Sequence, residues 1–195
     1  MMCKVNKESF RYSPHSSRLR KYDYRQNGAY FITICTYARI CFFGELNGEN
    51  ICLNKYGNIV NKCWQEIPQH FHEVIPAPFI IMPNHVHGII IVSKRTLSTN
   101  PAVETRHAVS RASNHICEAF QKPVSHSVPT IIRSFKSAVT RHLNALNENL
   151  PVSVWQKNYY EHIIRNDEEL NRAIEYIKFN PIKWGMDKEN PKNVK

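Results

Sequence analysis

The stretch Ile80-Ile81-Met82-Pro83-Asn84-His85-Val86-His87-Gly88-Ile89-Ile90-Ile91-Val92 constrains this chain more than any other. It is a β-branched run interrupted by two histidines, and it reads as a buried strand entered through a Pro83-Asn84 turn. Residues i and i+2 of a strand share a face, so His85 and His87 aim two imidazoles at one spot while Val86 points the other way. A lone strand histidine is usually a hydrogen-bonded core or edge residue. Two in an apolar strand are costly to bury unless both rings are satisfied. A pair on one rigid face is also a natural set of metal ligands.

The 195 residues suffice for one domain with a sizeable core, or one domain with an insertion. The formal net charge of +10 points to a polyanionic partner, nucleic acid before an anionic membrane. A merely soluble basic protein is the alternative. No run is long and apolar enough to span a bilayer, and Met1 to Tyr12 holds no signal-peptide core, so a cytoplasmic protein is expected. Cys3, Cys35, Cys41, Cys52, Cys63 and Cys117 form no C-x-x-C pair, which disfavours a zinc knuckle and suggests reduced thiols.

Residues 1–28 form a basic N-terminal arm in which Arg18, Arg20, Lys21 and Arg25 alternate with Tyr12, Tyr22 and Tyr24. Rings that stack bases beside cations that meet phosphates suit single-stranded nucleic acid; an arm laid over the sheet is the plainer reading. Ala29 to Tyr37 is a strand. Phe42 to Leu46 and Ile51 to Leu53 flank Asn47-Gly48, a hairpin signal. Ile59, Val60, Cys63, Trp64 and Ile67 give helical spacing over about 55–71, and Val74 to Ile81 is a strand interrupted by Pro76 and Pro78. Residues 94–128 show no period and read as a flexible insertion. Pro129 opens a helix with an Ile132, Phe135, Val139, Leu143 and Leu146 stripe. Arg133, Lys136 and Arg141 lie off that stripe, on a solvated or phosphate-facing side. Trp155 to Ile164 is extended.

Asn166 caps a last helix with Asp167, Glu168 and Glu169 in its first turn. Leu170, Ala173, Ile174 and Ile177 are its buried side, and Pro181 and Gly185 stop it. The order implies an α+β fold, an antiparallel sheet with helices packed on it, close to the ferredoxin-like folds. Tyr176 and Asn180 are i and i+4 on the last helix, one turn apart. A helix tyrosine is ordinarily a packing residue. Here its hydroxyl is also a candidate nucleophile toward a phosphate polarised by a metal on His85 and His87, with the Asn180 amide as a third ligand.

With those residues in view, the chain resembles the single-tyrosine HUH transposases, in the REP-associated tyrosine transposase branch. The resemblance rests on Pro83-Asn84-His85-Val86-His87-Gly88, Trp155-Gln156, His162-Ile163-Ile164-Arg165-Asn166 and Glu175-Tyr176-Ile177-Lys178-Phe179-Asn180-Pro181, and on the Tyr30 to Thr36 strand. It covers roughly 18–185 apart from the insertion. It implies a ferredoxin-like HUH nuclease domain over 29–185, followed by a C-terminal tail, 186–195. It further implies an enzyme that nicks and rejoins single-stranded DNA through a 5′-phosphotyrosine, with Tyr176 as nucleophile and His85, His87 and Asn180 as ligands. Relatives outside this branch often carry Gln at the position of Asn180. The cofactor implied is Mg2+ or Mn2+, although imidazole suits Mn2+ better. The implied partner is palindromic or hairpin DNA, bound by a monomer or homodimer. Two rivals stay open: a domesticated, non-catalytic hairpin-DNA binder, and a metal-dependent hydrolase that uses water.

Overall fold

The computed structural model describes residues 23–93, 127–146 and 153–193. Arg18, Arg20 and Lys21 of the arm, and the insertion up to residue 126, lie outside the described residues.

Strand β1 (Gly28–Cys35) leads through a tight turn at Tyr37–Arg39 to the hairpin β2 (Gly44–Asn47) and β3 (Asn50–Leu53). The hairpin turns where Asn-Gly requires it, with Gly48 at φ +63°. Helix α1 (Lys55–Gln65) begins at Asn54, whose side chain accepts from the Tyr56 and Gly57 N–H groups. The expected 55–71 helix breaks at Glu66, and α2 (Ile67–His70) restarts with Pro68 in its first turn. The expected 74–81 strand is likewise two pieces, β4 (Val74–Ile75) and β5 (Phe79–Met82), separated at the two prolines, which cannot donate to a ladder. Then come β6 (His85–Val92), α3 (Val128–Asn144), β7 (Tyr160–Ile164) and α4 (Asp167–Phe179). Of the segment Trp155 to Ile164, expected to be a strand or an extended stretch, Tyr160–Ile164 is the strand, and Trp155 makes an isolated bridge to Thr36.

The main sheet is antiparallel throughout, in the order β4/β5, β6, β1, β7. Ignoring the small hairpin, this is the ferredoxin-like pattern: two β-α-β halves with β6 and β1 central. Register sets Thr33 opposite His87 and Cys35 opposite His85.

The sheet has two unlike faces. On one, Tyr30, Ile32, Ile34, Val86, Ile90 and Val92 join Val60 and Trp64 of α1 and Ile132, Phe135 and Val139 of α3 in the main core. Gly88 belongs to that face, and a Cβ there would lie 2.2 Å from Trp64, so the strand must lack a side chain for the indole to seat. On the other face, Ile89, Ile164 and Ile177 are buried with Phe31, Ile80, Leu170, Ala173 and Ile174 packed around them. This smaller core docks α4 over the end of the sheet that carries the histidines. No helix among the described residues is long and apolar enough to cross a membrane.

Candidate metal and nucleophile site

His85 and His87 begin the central strand, so their backbone is fixed by ladders on both sides. Both rings are buried, 4.3 Å apart between centroids. Each Nδ1 has a partner. His85 Nδ1 lies 2.8 Å from Asn84 Oδ1, and Asn84 Nδ2 donates to the carbonyls of Glu189 and Arg39, at 2.7 and 3.1 Å. Those two carbonyls fix which end of the amide is oxygen, so Nδ1 of His85 carries the proton and its Nε2 is a bare lone pair. His87 Nδ1 lies 2.8 Å from the Thr33 hydroxyl, the residue opposite it in register. Both Nε2 atoms are buried without a hydrogen-bond partner. Burial, and for His85 the neighbouring His87, hold both imidazoles below the usual histidine range, which favours the neutral rings that bind metals.

Helix α4 brings the other two expected residues to this point. Asn166 caps the helix by accepting from the Glu169 N–H, and the Glu169 carboxylate accepts from the Arg165 N–H. Tyr176 stands edge-on to His87, with ring centroids 5.1 Å apart, and edge-on to Phe31 at 5.7 Å. It is 40% exposed, so its ring is packed while its side chain still reaches solvent. Burial first, then the Asp187 and Glu189 carboxylates, push its hydroxyl up to about 12. Asn180, just past the helix end, is buried, and its Oδ1 is a third buried acceptor without a partner.

Asp187, which periodicity and motif did not single out, completes the group. It is buried, and its Oδ2 lies 3.8 Å from His85 Nε2 and 4.0 Å from His87 Nε2, while accepting from Asn180 Nδ2 at 2.9 Å. Burial alone would raise its carboxyl. The His87 ring, the Glu189 N–H and the Asn180 amide outweigh that and hold it ionised. One donor atom from each of His85, His87 and Asp187 falls within 4.8 Å of the others. Buried acceptors cost about 1–3 kcal/mol each when nothing satisfies them. Two imidazole nitrogens and an amide oxygen without hydrogen-bond partners, crowded with a carboxylate, are relieved by a cation. The donor set therefore fits a divalent metal. Trp184 stacks on His85 at 5.7 Å and walls the site.

The basic residues expected to meet phosphate are distributed otherwise. Arg25 is exposed and forms a forked pair with Asp23, at 2.8 Å from both Nε and Nη2. Arg133 and Arg141 are exposed on α3, which packs on the sheet face opposite the histidines. Lys136 is half-buried there, with its ammonium donating to the Gln156 carbonyl at 2.6 Å and lowered by burial to about 8. The structure thus gathers Tyr176, His85, His87 and Asn180, and leaves the α3 cations remote from them.

A central antiparallel sheet thus carries a buried histidine pair, and a tyrosine helix packs against it. No family model matches the chain. An uncharacterized protein of Haemophilus influenzae is 40% identical over 173 residues, covering 88% of this chain and 90% of its own length. A protein of the same organism described as a putative REP-associated tyrosine transposase is 23% identical over 84% of this chain and 75% of its own. In fold, the chain matches a solved REP-associated tyrosine transposase bound to a REP hairpin. That match has a TM-score of 0.50 and 17% identity, over 89% of this chain and 77% of the other. The chain belongs to one family with the 40% identical protein, and it is similar to the putative REP-associated tyrosine transposase in sequence and to the solved one in fold.

Proposed function

We propose that this protein nicks and rejoins single-stranded or hairpin DNA, with Tyr176 as the attacking residue. The observation that carries the reading is the set of buried polar atoms without partners, His85 Nε2, His87 Nε2 and Asn180 Oδ1, gathered around the Asp187 carboxylate with the Tyr176 ring against His87.

His85, His87 and Asn180, joined by Asp187, would hold a divalent ion, Mn2+ in preference to Mg2+ for a set that includes imidazole. Such an ion supplies Lewis-acid polarisation of a phosphate oxygen and positive charge against the carboxylates that keep Tyr176 protonated. Tyr176 Oη attacks phosphorus and gives up its proton. The bond from phosphorus to the 3′-oxygen breaks, and that oxygen takes a proton as it leaves as a 3′-hydroxyl. The DNA then remains on the protein as a 5′-phosphotyrosine. Attack by a DNA 3′-hydroxyl reverses the step and joins strands. Phe31 and His87 hold the tyrosine ring, and Asn84 and Thr33 hold the imidazoles, so the groups need little reorganisation.

The hairpin partner is taken from the solved relative with a REP hairpin and from the +10 net charge of this chain. Arg25, Arg133 and Arg141, and from the sequence Arg18, Arg20 and Lys21 of the arm, are candidates to contact phosphates, contacts that position the DNA without reading it. Incubation of the full chain with Mn2+ and end-labelled hairpin oligonucleotides bearing single-stranded flanks, followed by denaturing electrophoresis, tests the reading. A protein–DNA adduct that chelation or His87→Ala abolishes is the expected result. Binding without cleavage would favour the non-catalytic binder, and cleavage without adduct the water-using hydrolase.

A further inference from the structure

The segment 187–190 is held by more polar contacts than its own turn needs. Asp187 Oδ1 accepts from the Glu189 N–H at 2.8 Å, which leaves Oδ2 turned to the imidazoles. Glu189 is itself pinned. Its Oε2 lies 3.1 Å from Arg39 Nη2 and accepts from the Cys35 thiol at 3.2 Å, while its carbonyl accepts from Asn84 Nδ2 at 2.7 Å. Arg39 Nη1 donates to the Lys188 carbonyl at 2.7 Å. One guanidinium therefore grips both the backbone and the side chain next to Asp187. Arg39 sits at φ 54°, directly after Ala38 at φ 51°. Two successive non-glycine residues in the left-handed region are unfavourable and persist where surrounding contacts fix them. From that turn the Arg39 side chain reaches Glu189, and the nicking chemistry does not call on it.

We infer that Arg39 is a positioning residue of the metal site: with Glu189 it pins the turn at 187–190 so that Asp187 Oδ2 stands as a fixed donor opposite His85 and His87. The DNA-free protein then binds a divalent transition ion of the Mn2+ type through that carboxylate. This rests on the metal reading of the site given above. The sign of the effect separates positioning from plain electrostatics. Arg39 is a cation, so by Coulomb's law alone its removal would tighten the binding of another cation. If it acts by positioning, its removal weakens binding instead.

The test is Mn2+ titration of the full-length protein without DNA, with unbound ion counted by electron paramagnetic resonance. Arg39→Met keeps the aliphatic stem and removes the grip; the expected loss of affinity is about 10-fold, the scale for residues that orient ligands. Asp187→Asn loses at least as much. In an Asp187→Asn background, Arg39→Met causes no further loss, because it acts through the carboxylate. Arg39→Lys keeps the charge without the fork and falls between, and it carries the test if Arg39→Met does not fold. Unchanged or tighter Mn2+ binding by Arg39→Met overturns the inference. So does an undiminished loss in the Asp187→Asn background, or a wild-type protein that binds no Mn2+. The readout is ion binding alone. This binding pattern without any DNA adduct would remove the nicking reading and leave the inference. A Tyr176 adduct alongside unaltered Mn2+ binding by Arg39→Met would remove only the inference.

Discussion

The two faces of the central sheet are made by alternate residues of the same strands, yet they are built on opposite rules. Behind β6, Val86, Gly88, Ile90 and Val92 meet Trp64, Ile132 and Phe135, and packing alone decides the arrangement. In front, Ile89 continues the apolar pattern under Ile177, but His85 and His87 replace it at the open end with buried nitrogens that no protein group satisfies. The apolar face contributes stability. The polar end gives some of it up, and that unsatisfied end is where a cation and a phosphate find partners.

Substitutions can break this contrast, and the largest effect lies behind the sheet. Phe135→Ala should cost about 3–5 kcal/mol in urea denaturation, because it opens a cavity between Trp64 and Trp155. Gly88→Ala should cost about 1–3 kcal/mol, since the new methyl meets the Trp64 ring in a packed core. On the front face the lever is occupancy. Mn2+ at about 100 times its dissociation constant should raise stability by about 2.7 kcal/mol, and His87→Ala should lose that increment.

Acid sharpens the same contrast. Both histidines are held below the usual range, so between the unfolded value near 6.5 and their folded values the unfolded chain binds the extra protons. Metal-free protein should therefore lose stability as pH falls below about 6.5, by up to roughly 1.4 kcal/mol per pH unit for each histidine. Saturating Mn2+ should make the decline steeper, since protons displace the ion. A stability that stays flat from pH 7 to 5 in metal-free protein would show that the rings are not buried neutral. The smallest change is at the strained turn. Ala38→Gly relieves a left-handed alanine and should shift stability by about 1 kcal/mol or less, toward greater stability.

The apolar face was legible in the sequence because it follows period. The β6 run, the α3 stripe and the α4 stripe each place their residues as the spacing requires. Of the site, His85 and His87 were legible from strand alternation, and Tyr176 with Asn180 from the helical repeat that puts them one turn apart. Asp187 and Glu189 were not legible. They follow the Pro181 and Gly185 stop signals, in a stretch with no period that reads as a tail, and residues distant in sequence, Arg39, Asn84 and Cys35, hold them. The split of the 74–81 strand was legible as a signal, from Pro76 and Pro78, but not as a boundary; the break at Glu66 was not, because the apolar spacing runs on through Ile67.

The adduct itself tests the central claim most directly. Wild-type protein, Tyr176→Phe, Tyr159→Phe and Tyr160→Phe would each be incubated with Mn2+ and a flanked hairpin oligonucleotide. Adducts would be digested with nuclease and protease, and the peptide bearing the residual nucleotide identified by mass spectrometry. Tyr176→Phe removes one oxygen and keeps the ring that packs on His87 and Phe31, so it should bind hairpin DNA as the wild type does. The account predicts a nucleotide on Tyr176 in the wild type and in both other variants, and no adduct in Tyr176→Phe. A nucleotide on Tyr159 or Tyr160, or undiminished nicking by Tyr176→Phe, would contradict it.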